Sequence, residues 1–150
     1  MQNTKTLTIT GTRHPHCLTD VQLKNFQEYL QSLLLEGYTH VRHGDALGAD
    51  EYAHHVALNM GYQIFIHPPL NTKFRAFCSG GICMPKRSYS RRNQDMIDAC
   101  QLLLALPSSN MELLRSGTWQ TIRMARNAVV PRVIFYPNGE LSREGFDTLF

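Results

Sequence analysis

At 150 residues, with 43% hydrophobic and 18% charged residues, the chain is long enough to bury a core without disulfide or metal staples and too apolar to be disordered. A net charge of +3 is too small to identify a polyanionic partner by itself. No apolar run reaches membrane-spanning length and the start Met1-Gln2-Asn3-Thr4-Lys5 lacks the apolar core of a secretion signal, so a cytoplasmic protein with no membrane partner is expected.

Leu7-Thr8-Ile9-Thr10 is short, β-branched and followed by Gly11, as a first strand should be. Thr19-Asp20-Val21-Gln22 reads as a capping box, and Leu23, Phe26, Leu30, Leu33 and Leu34 recur at helical spacing until Gly37. Thr39 to Arg42 is expected as a second strand. A helical stripe of Ala53, Val56, Ala57 and Met60 follows and is closed by Gly61. Tyr62 to His67 is a third strand, ended by Pro68-Pro69. Leu70 to Tyr89 has no clear period, and a loop of about twenty residues inside a domain is usually functional, so residues 68–90 are a candidate lid. Ser90 can cap a third helix running to Cys100, and Gln101 to Leu106 has the continuous apolar character of a buried parallel strand. Ser116-Gly117-Thr118 opens a helix carrying Ile122 and Ala125. Arg132 to Tyr136 is a last strand, with a Pro137-Asn138-Gly139 turn before a short tail. About five strands separated mostly by helices predict a single α/β domain over residues 1–150, a three-layer sandwich on a mainly parallel sheet.

Such a sheet holds its ligand beyond the carboxyl ends of the strands, where strand order reverses. Three loops should converge there: Gly11-Thr12-Arg13, Gly44 to Asp50, and Ser116-Gly117-Thr118. Glycines let a phosphate approach the backbone, and a helix N-terminus supplies N–H groups. The spacing matches neither a Walker A loop nor the G-x-G-x-x-G fingerprint, which argues against a P-loop NTPase and a standard dinucleotide dehydrogenase. From Tyr52 to Gln94 there is no Asp or Glu, while Lys73, Arg75, Lys86, Arg87, Arg91 and Arg92 all fall there, so the stretch is either a solvated basic surface or a face toward an anion. Arginine suits phosphate through its planar fork, which makes Arg13 and Arg92 candidate contacts and leaves Arg91 to the surface. Trp119, Phe74 and Tyr89 can stack on a base or pack in the core. His14, His16 and Cys17 cluster, as do His43, His54 and His55, but without metal-ligand spacing, so no metal is assigned; His14 and His43 are candidate ligand contacts instead. The four cysteines, Cys17, Cys78, Cys83 and Cys100, lack zinc or redox spacing and are expected as free thiols.

Thr10-Gly11-Thr12-Arg13, His43-Gly44-x-Ala46-x-Gly48-Ala49-Asp50, Arg92-Asn93-x-x-Met96, and Gly117-Thr118 with Ala125 occur in the order that resembles the SLOG superfamily. This Rossmann-like group includes the LOG phosphoribohydrolases, the core of DNA-processing protein A and small stand-alone domains; the likeness is greatest to the last and runs from Leu7 to Tyr136. It implies a Rossmann-like fold, a nucleotide or nucleotide-derived ligand, and a homodimer or higher homo-oligomer, for which the apolar Met111 to Leu114 segment is either interface or core. The residues implied at the ligand are Gly11, Thr12, Arg13, His43, Gly44, Gly48, Ala49, Asp50, Arg92, Asn93, Ser116, Gly117 and Thr118.

LOG hydrolases carry P-G-G-x-G-T-x-x-E, and here Thr121 stands where that glutamate is expected while Ser116 replaces a glycine. Threonine cannot stabilise an oxocarbenium ion or activate water as a carboxylate does. Any chemistry needs another acid, with Asp45 and Asp50 first and Glu51 or Glu112 behind; first-turn helix stabilisation is the alternative role of Asp50 and Glu51. Three functions stay open: a nucleotide-binding sensor or sequestering module needing no cofactor, a hydrolase of an N-glycosidic or phosphoester bond, and a single-stranded DNA binder using Lys73 to Arg92 with Phe74 or Tyr89.

Overall fold

Along β1 (Lys5–Gly11) apolar residues alternate with threonines, and the two sets go to opposite faces of the sheet. Leu7 and Ile9 join the core beneath α1 (Asp20–Leu35) and α2 (Ala49–Asn59), whereas Thr8 Oγ1 donates to the Met96 carbonyl of α3 (Tyr89–Asp98) on the other side. The computed structural model describes residues 4–146. Its remaining elements are β2 (Tyr38–His43), β3 (Gln63–Ile66), β4 (Ile82–Cys83), β5 (Leu102–Leu106), α4 (Gly117–Asn127), β6 (Arg132–Phe135) and β7 (Leu141–Glu144).

The strands lie in the order β4-β3-β2-β1-β5-β6-β7, all parallel except β7, which returns antiparallel to β6. This is the expected α/β architecture with seven strands rather than about five. The second core packs Ile97 of α3 and Trp119, Ile122 and Ala125 of α4 against Leu103, Ala105 and Ile134, which assigns Trp119 to the interior. Every residue of β5 is buried, as its uninterrupted Leu-Leu-Leu-Ala-Leu run requires of a central parallel strand.

The capping box at Thr19 forms, with Gln22 N–H donating to Thr19 Oγ1 at 3.2 Å and Thr19 N–H to Gln22 Oε1 at 3.2 Å. The amide of Gln22 also donates to the carbonyls of Pro107 and Phe135, both at 2.8 Å, so one buried side chain ties the start of α1 to the ends of β5 and β6. The third helix is capped by Ser88 rather than Ser90, and ends at Asp98. The 137–139 turn leads into a hairpin instead of a tail, because Glu144 on β7 meets Arg126 of α4 and Arg132 of β6 at 3.0 and 2.8 Å. Cys17, Cys78, Cys83 and Cys100 are free thiols. Among the described residues no helix is long and apolar enough to cross a membrane.

Candidate functional site

Strand order reverses between β1 and β5, whose ends Gly11 and Leu106 pair side by side. Beyond them opens a cavity of roughly 430 Å³. Of the residues expected at the ligand, Gly11, Thr12, Arg13, His14, Asp50, Arg92, Asn93, Ser116, Gly117 and Thr118 line it. Phe74, Tyr89, Arg115, Gln120 and Thr121 line it too.

The loops after β1 and β2 are dovetailed. A Cβ on Gly11 would come within 2.4 Å of Ala49 Cβ, and one on Gly48, whose φ is +84°, within 2.4 Å of the Thr12 carbonyl oxygen. Ala49 N–H donates to that same carbonyl at 2.9 Å. Gly44 leaves room for the Arg92 guanidinium, which would lie 2.7 Å from a Cβ there. Gly44, Gly48 and Ala49 therefore serve contact between loops, and the structure places them behind the cavity wall rather than in it. The N–H groups of the 44–50 loop are also largely committed: Gly44 and Ala46 donate to Asp50, Asp45 to His43, Leu47 to Phe74 and Ala49 to Thr12. The start of α4 also faces the cavity. Its first-turn N–H groups have no intrahelical acceptor. Ser116 Oγ caps the one on Trp119 at 3.3 Å, while Gly117 and Thr118 sit on the cavity wall.

Asp50 accepts from Gly44 and Ala46 N–H through Oδ2, at 3.1 and 3.2 Å, while its buried Oδ1 has no partner among the described residues. Burial raises its pKa to about 6, opposed by the Arg92 charge and the two N–H groups. Arg92 donates through Nη1 to the Gly44 carbonyl at 2.8 Å and through Nε to Asn93 Oδ1 at 3.0 Å. Arg13 lies over the Phe74 ring, 3.9 Å from its centre, which brings a cation and an aromatic face to one rim. Thr121 spends its hydroxyl on the Gly117 carbonyl at 3.1 Å.

Asp45 is placed elsewhere. It is fully buried, holds φ +57°, and turns its carboxylate to Arg75 Nε at 2.7 Å and Cys78 N–H at 2.9 Å, beneath the segment that leads to β4. Its own carbonyl accepts from Ala76 N–H at 2.7 Å. Asp45, a candidate catalytic acid from the sequence, therefore does not line the cavity, whereas Asp50 does. Glu112 is likewise held outside by Arg123 and Arg126 at 2.9 and 3.0 Å.

His43 is also withdrawn from the cavity, and its hydrogen bonds fix its proton. Asp45 N–H donates to its Nδ1 at 2.9 Å, so the ring proton is on Nε2 and is given to His54 Nδ1 at 2.9 Å; His54 Nε2 in turn donates to the Ser79 carbonyl at 2.6 Å. Ligand-type atoms of His43, His54 and Cys78 lie within 4.8 Å of one another. A metal on His43 Nε2 would force the proton to Nδ1, opposite the Asp45 N–H. Burial, then the neighbouring His54, lowers the His43 pKa to about 3, and burial pushes the Cys78 thiol up to about 12. His43 and His54 suit a hydrogen-bonded chain ending on the Ser79 carbonyl, with a protonated Cys78 thiol beside it, better than a metal.

Half of the basic stretch is spent on the protein itself. Arg75 is paired with Asp45, Arg87 with Asp95 at 3.3 Å and Arg92 with the Gly44 carbonyl, leaving Lys73, Lys86 and Arg91 on the surface. Arg115 was not singled out from sequence because its place at the rim depends on the path of the 107–116 loop.

No protein-family model matches the sequence, and no curated protein does. Solved structures with the same fold include a molybdenum cofactor binding protein from the phototrophic bacterium Rippkaea orientalis, 18% identical with a TM-score of 0.67 over 89% of this chain and 77% of that one. A Moco carrier protein from Chlamydomonas reinhardtii matches with 18% identity and a TM-score of 0.66 over 92% of this chain and 81% of that one. DNA processing protein A from Streptococcus pneumoniae matches 87% of this chain at 18% identity and a TM-score of 0.61, the match spanning half of that longer protein. These neighbours carry the Rossmann-like fold that the resemblance to the SLOG superfamily implies.

Proposed function

We propose that the chain is a single domain that binds a nucleotide or nucleotide-derived small molecule in the cavity at the ends of β1 and β5, as a sensor or sequestering module. The observation that carries this reading is Asp50: a carboxylate oxygen buried with no protein partner, in the wall of a cavity that also offers arginines and a helix N-terminus. Such an oxygen accepts from a sugar hydroxyl, while Arg13, Arg92, Arg115 and the start of α4 receive phosphate. Phe74 and Tyr89 present aromatic faces to a base. Pro69, Phe74 and Tyr89 all belong to the 68–90 stretch, which supports its role as a cover over the ligand. Met111 and Leu114 are 73% and 82% exposed, which favours an interface between copies over a core for that segment.

A second reading, hydrolysis of the bound ligand, rests on the same aspartate, because a carboxyl titrating near 6 holds a proton to give to a leaving group close to neutral pH. The test is a panel of nucleotides and cyclic nucleotides, with the molybdenum cofactor added because two structural neighbours are described as binding or carrying it. Melting shift and product mass are read together, and single-stranded DNA is run beside them. Binding alone is expected as a melting shift by one small ligand that falls in Arg13→Ala and Asp50→Asn. A changed ligand mass moves the assignment to the hydrolase. Tight DNA binding at physiological salt with no small-ligand shift overturns both in favour of a nucleic-acid surface.

A further inference from the structure

On the sheet face opposite α1 and α2, α3 lies along β1, and beside it runs a second cavity of roughly 350 Å³. Arg42 from β2 and His67 after β3 form its floor, and Arg92 and Asp95 from α3, with Met84 and Arg87 after β4, form its walls. Three arginines thus face one carboxylate. That carboxylate is already engaged, since Asp95 pairs with Arg87 at 3.3 Å.

Arg42 is the group left without an answer. Its guanidinium sits 4.2 Å over the Phe65 ring and donates through Nη1 to His67 Nε2 at 3.0 Å, yet its buried Nε has no partner among the described residues. Burial lowers its pKa, and no carboxylate contributes to holding its charge. A guanidinium has only donors, so His67 Nε2 must accept and the ring proton must be on Nδ1. Burial and the Arg42 charge keep this ring neutral, with a pKa of about 4. Arg42 Nε–H, His67 Nδ1–H and the Arg92 guanidinium are donors only, and the cavity's three arginines outnumber its one carboxylate, Asp95. Such a set rejects cations and neutral acceptor-poor ligands, and it matches the oxygens of a tetrahedral dianion. Buried donors left unpaired are rare enough that each needs an explanation, and an anion acceptor would supply one here.

We infer that this cavity is a second anion site, taking a phosphate-type group through Arg42 and His67 and sharing Arg92 with the first cavity. The group is either a free ion or the phosphoryl end of a ligand seated in the first cavity. Arginine-labelled protein followed by ¹H–¹⁵N NMR distinguishes these while inorganic phosphate or a nucleoside diphosphate is added, with chloride at equal ionic strength as control. The Arg42 Nε–H resonance is expected to move and saturate with millimolar phosphate, in the wild type and in Arg13→Ala alike. A phosphate-dependent rise in melting temperature should survive Arg13→Ala, and Arg42→Met added to that variant should weaken its phosphate affinity about tenfold or more. With the diphosphate, one shared midpoint for Arg13 and Arg42 identifies a single bridging ligand, and separate midpoints identify an independent ion. An Arg42 resonance that stays still, follows chloride equally, or stops responding to inorganic phosphate in Arg13→Ala overturns the inference. The first cavity's reading is untouched by that result, because nucleotide binding there is read at Arg13 and Asp50.

Discussion

In the proposed binding role, Asp50 makes opposite demands on stability and on ligand capture, and both can be measured. Its pKa in the folded protein, about 6, is above the ordinary 3.8, so the unfolded chain ionises first as pH rises. The stability due to its neutral form is complete below about pH 4 and is lost as pH rises through about 6, a change on the order of 3 kcal/mol. Asp50→Asn stays neutral and should be the more stable protein at pH about 8, with the difference gone at pH about 4, in urea unfolding followed at both values. The same variant should lose the dependence of ligand affinity on pH near 6 that the carboxylate imposes. Glycines make a second contrast at this scale. Gly11→Ala sets a methyl 2.4 Å from Ala49 Cβ and 2.9 Å from the Leu106 oxygen, whereas a Cβ on Gly117 meets nothing within 4 Å. Gly11→Ala is therefore expected to cost about 1–3 kcal/mol. Gly117→Ala should change unfolding free energy by no more than about 0.5 kcal/mol while weakening the ligand, since its methyl projects at the cavity wall.

At the level of elements, Asp45 and the segment from His67 to Ser88 act together. Arg75 Nε, Cys78 N–H and Ala76 N–H all converge on this one residue, and His54 holds Ser79 beside it. Arg75→Ala leaves a buried carboxylate without its cation and should destabilise by about 3–5 kcal/mol, seen as faster hydrogen exchange at Ala76 and Cys78 and cleavage within 70–88. Asp45→Asn keeps an acceptor for Cys78 and should be milder by the same readout. This role was not legible in the sequence, where Asp45 and Asp50 are two acids in one glycine turn. A positive φ at Asp45 sends its side chain away from the cavity, and nothing local announces that. The start of α1 was legible because Thr19 and Gln22 satisfy each other within one turn. By contrast β4 is two exposed residues that exist through pairing with Phe65 and Ile66, and Ser88 and Ser90 are equally good caps until the chain's approach to α3 is known.

For the molecule as a whole, two buried histidines set the response to acid. His43 and His67 titrate at about 3 and about 4 against an ordinary 6.5, so below 6.5 the unfolded chain takes up protons that the native state refuses. Stability is fully present above pH 6.5 and drains away as pH falls toward 4; the opposite contribution of Asp50 is smaller and does not reverse the slope. Unfolding free energy measured from about pH 7.5 to about 4.5 should fall continuously, and a flat profile would count against these buried neutral rings. The general architecture was readable because alternation of strand and helix signals is a property of whole segments, while the cavity wall at Arg115 depends on how distant loops meet. One further consequence belongs to synthesis. Leu7 in β1 is hydrogen-bonded between β2 and β5, and its partner Leu102 is made ninety-five residues later. At ordinary rates of translation this leaves β1 with one open edge for roughly five to twenty seconds. A nascent chain stopped before Leu102 can pair β1 with β2 and β3 and close α1 and α2 over them, but it shows the cell an unpaired central strand, so a ribosome-stalled product of that length should be held by chaperones and the full chain released.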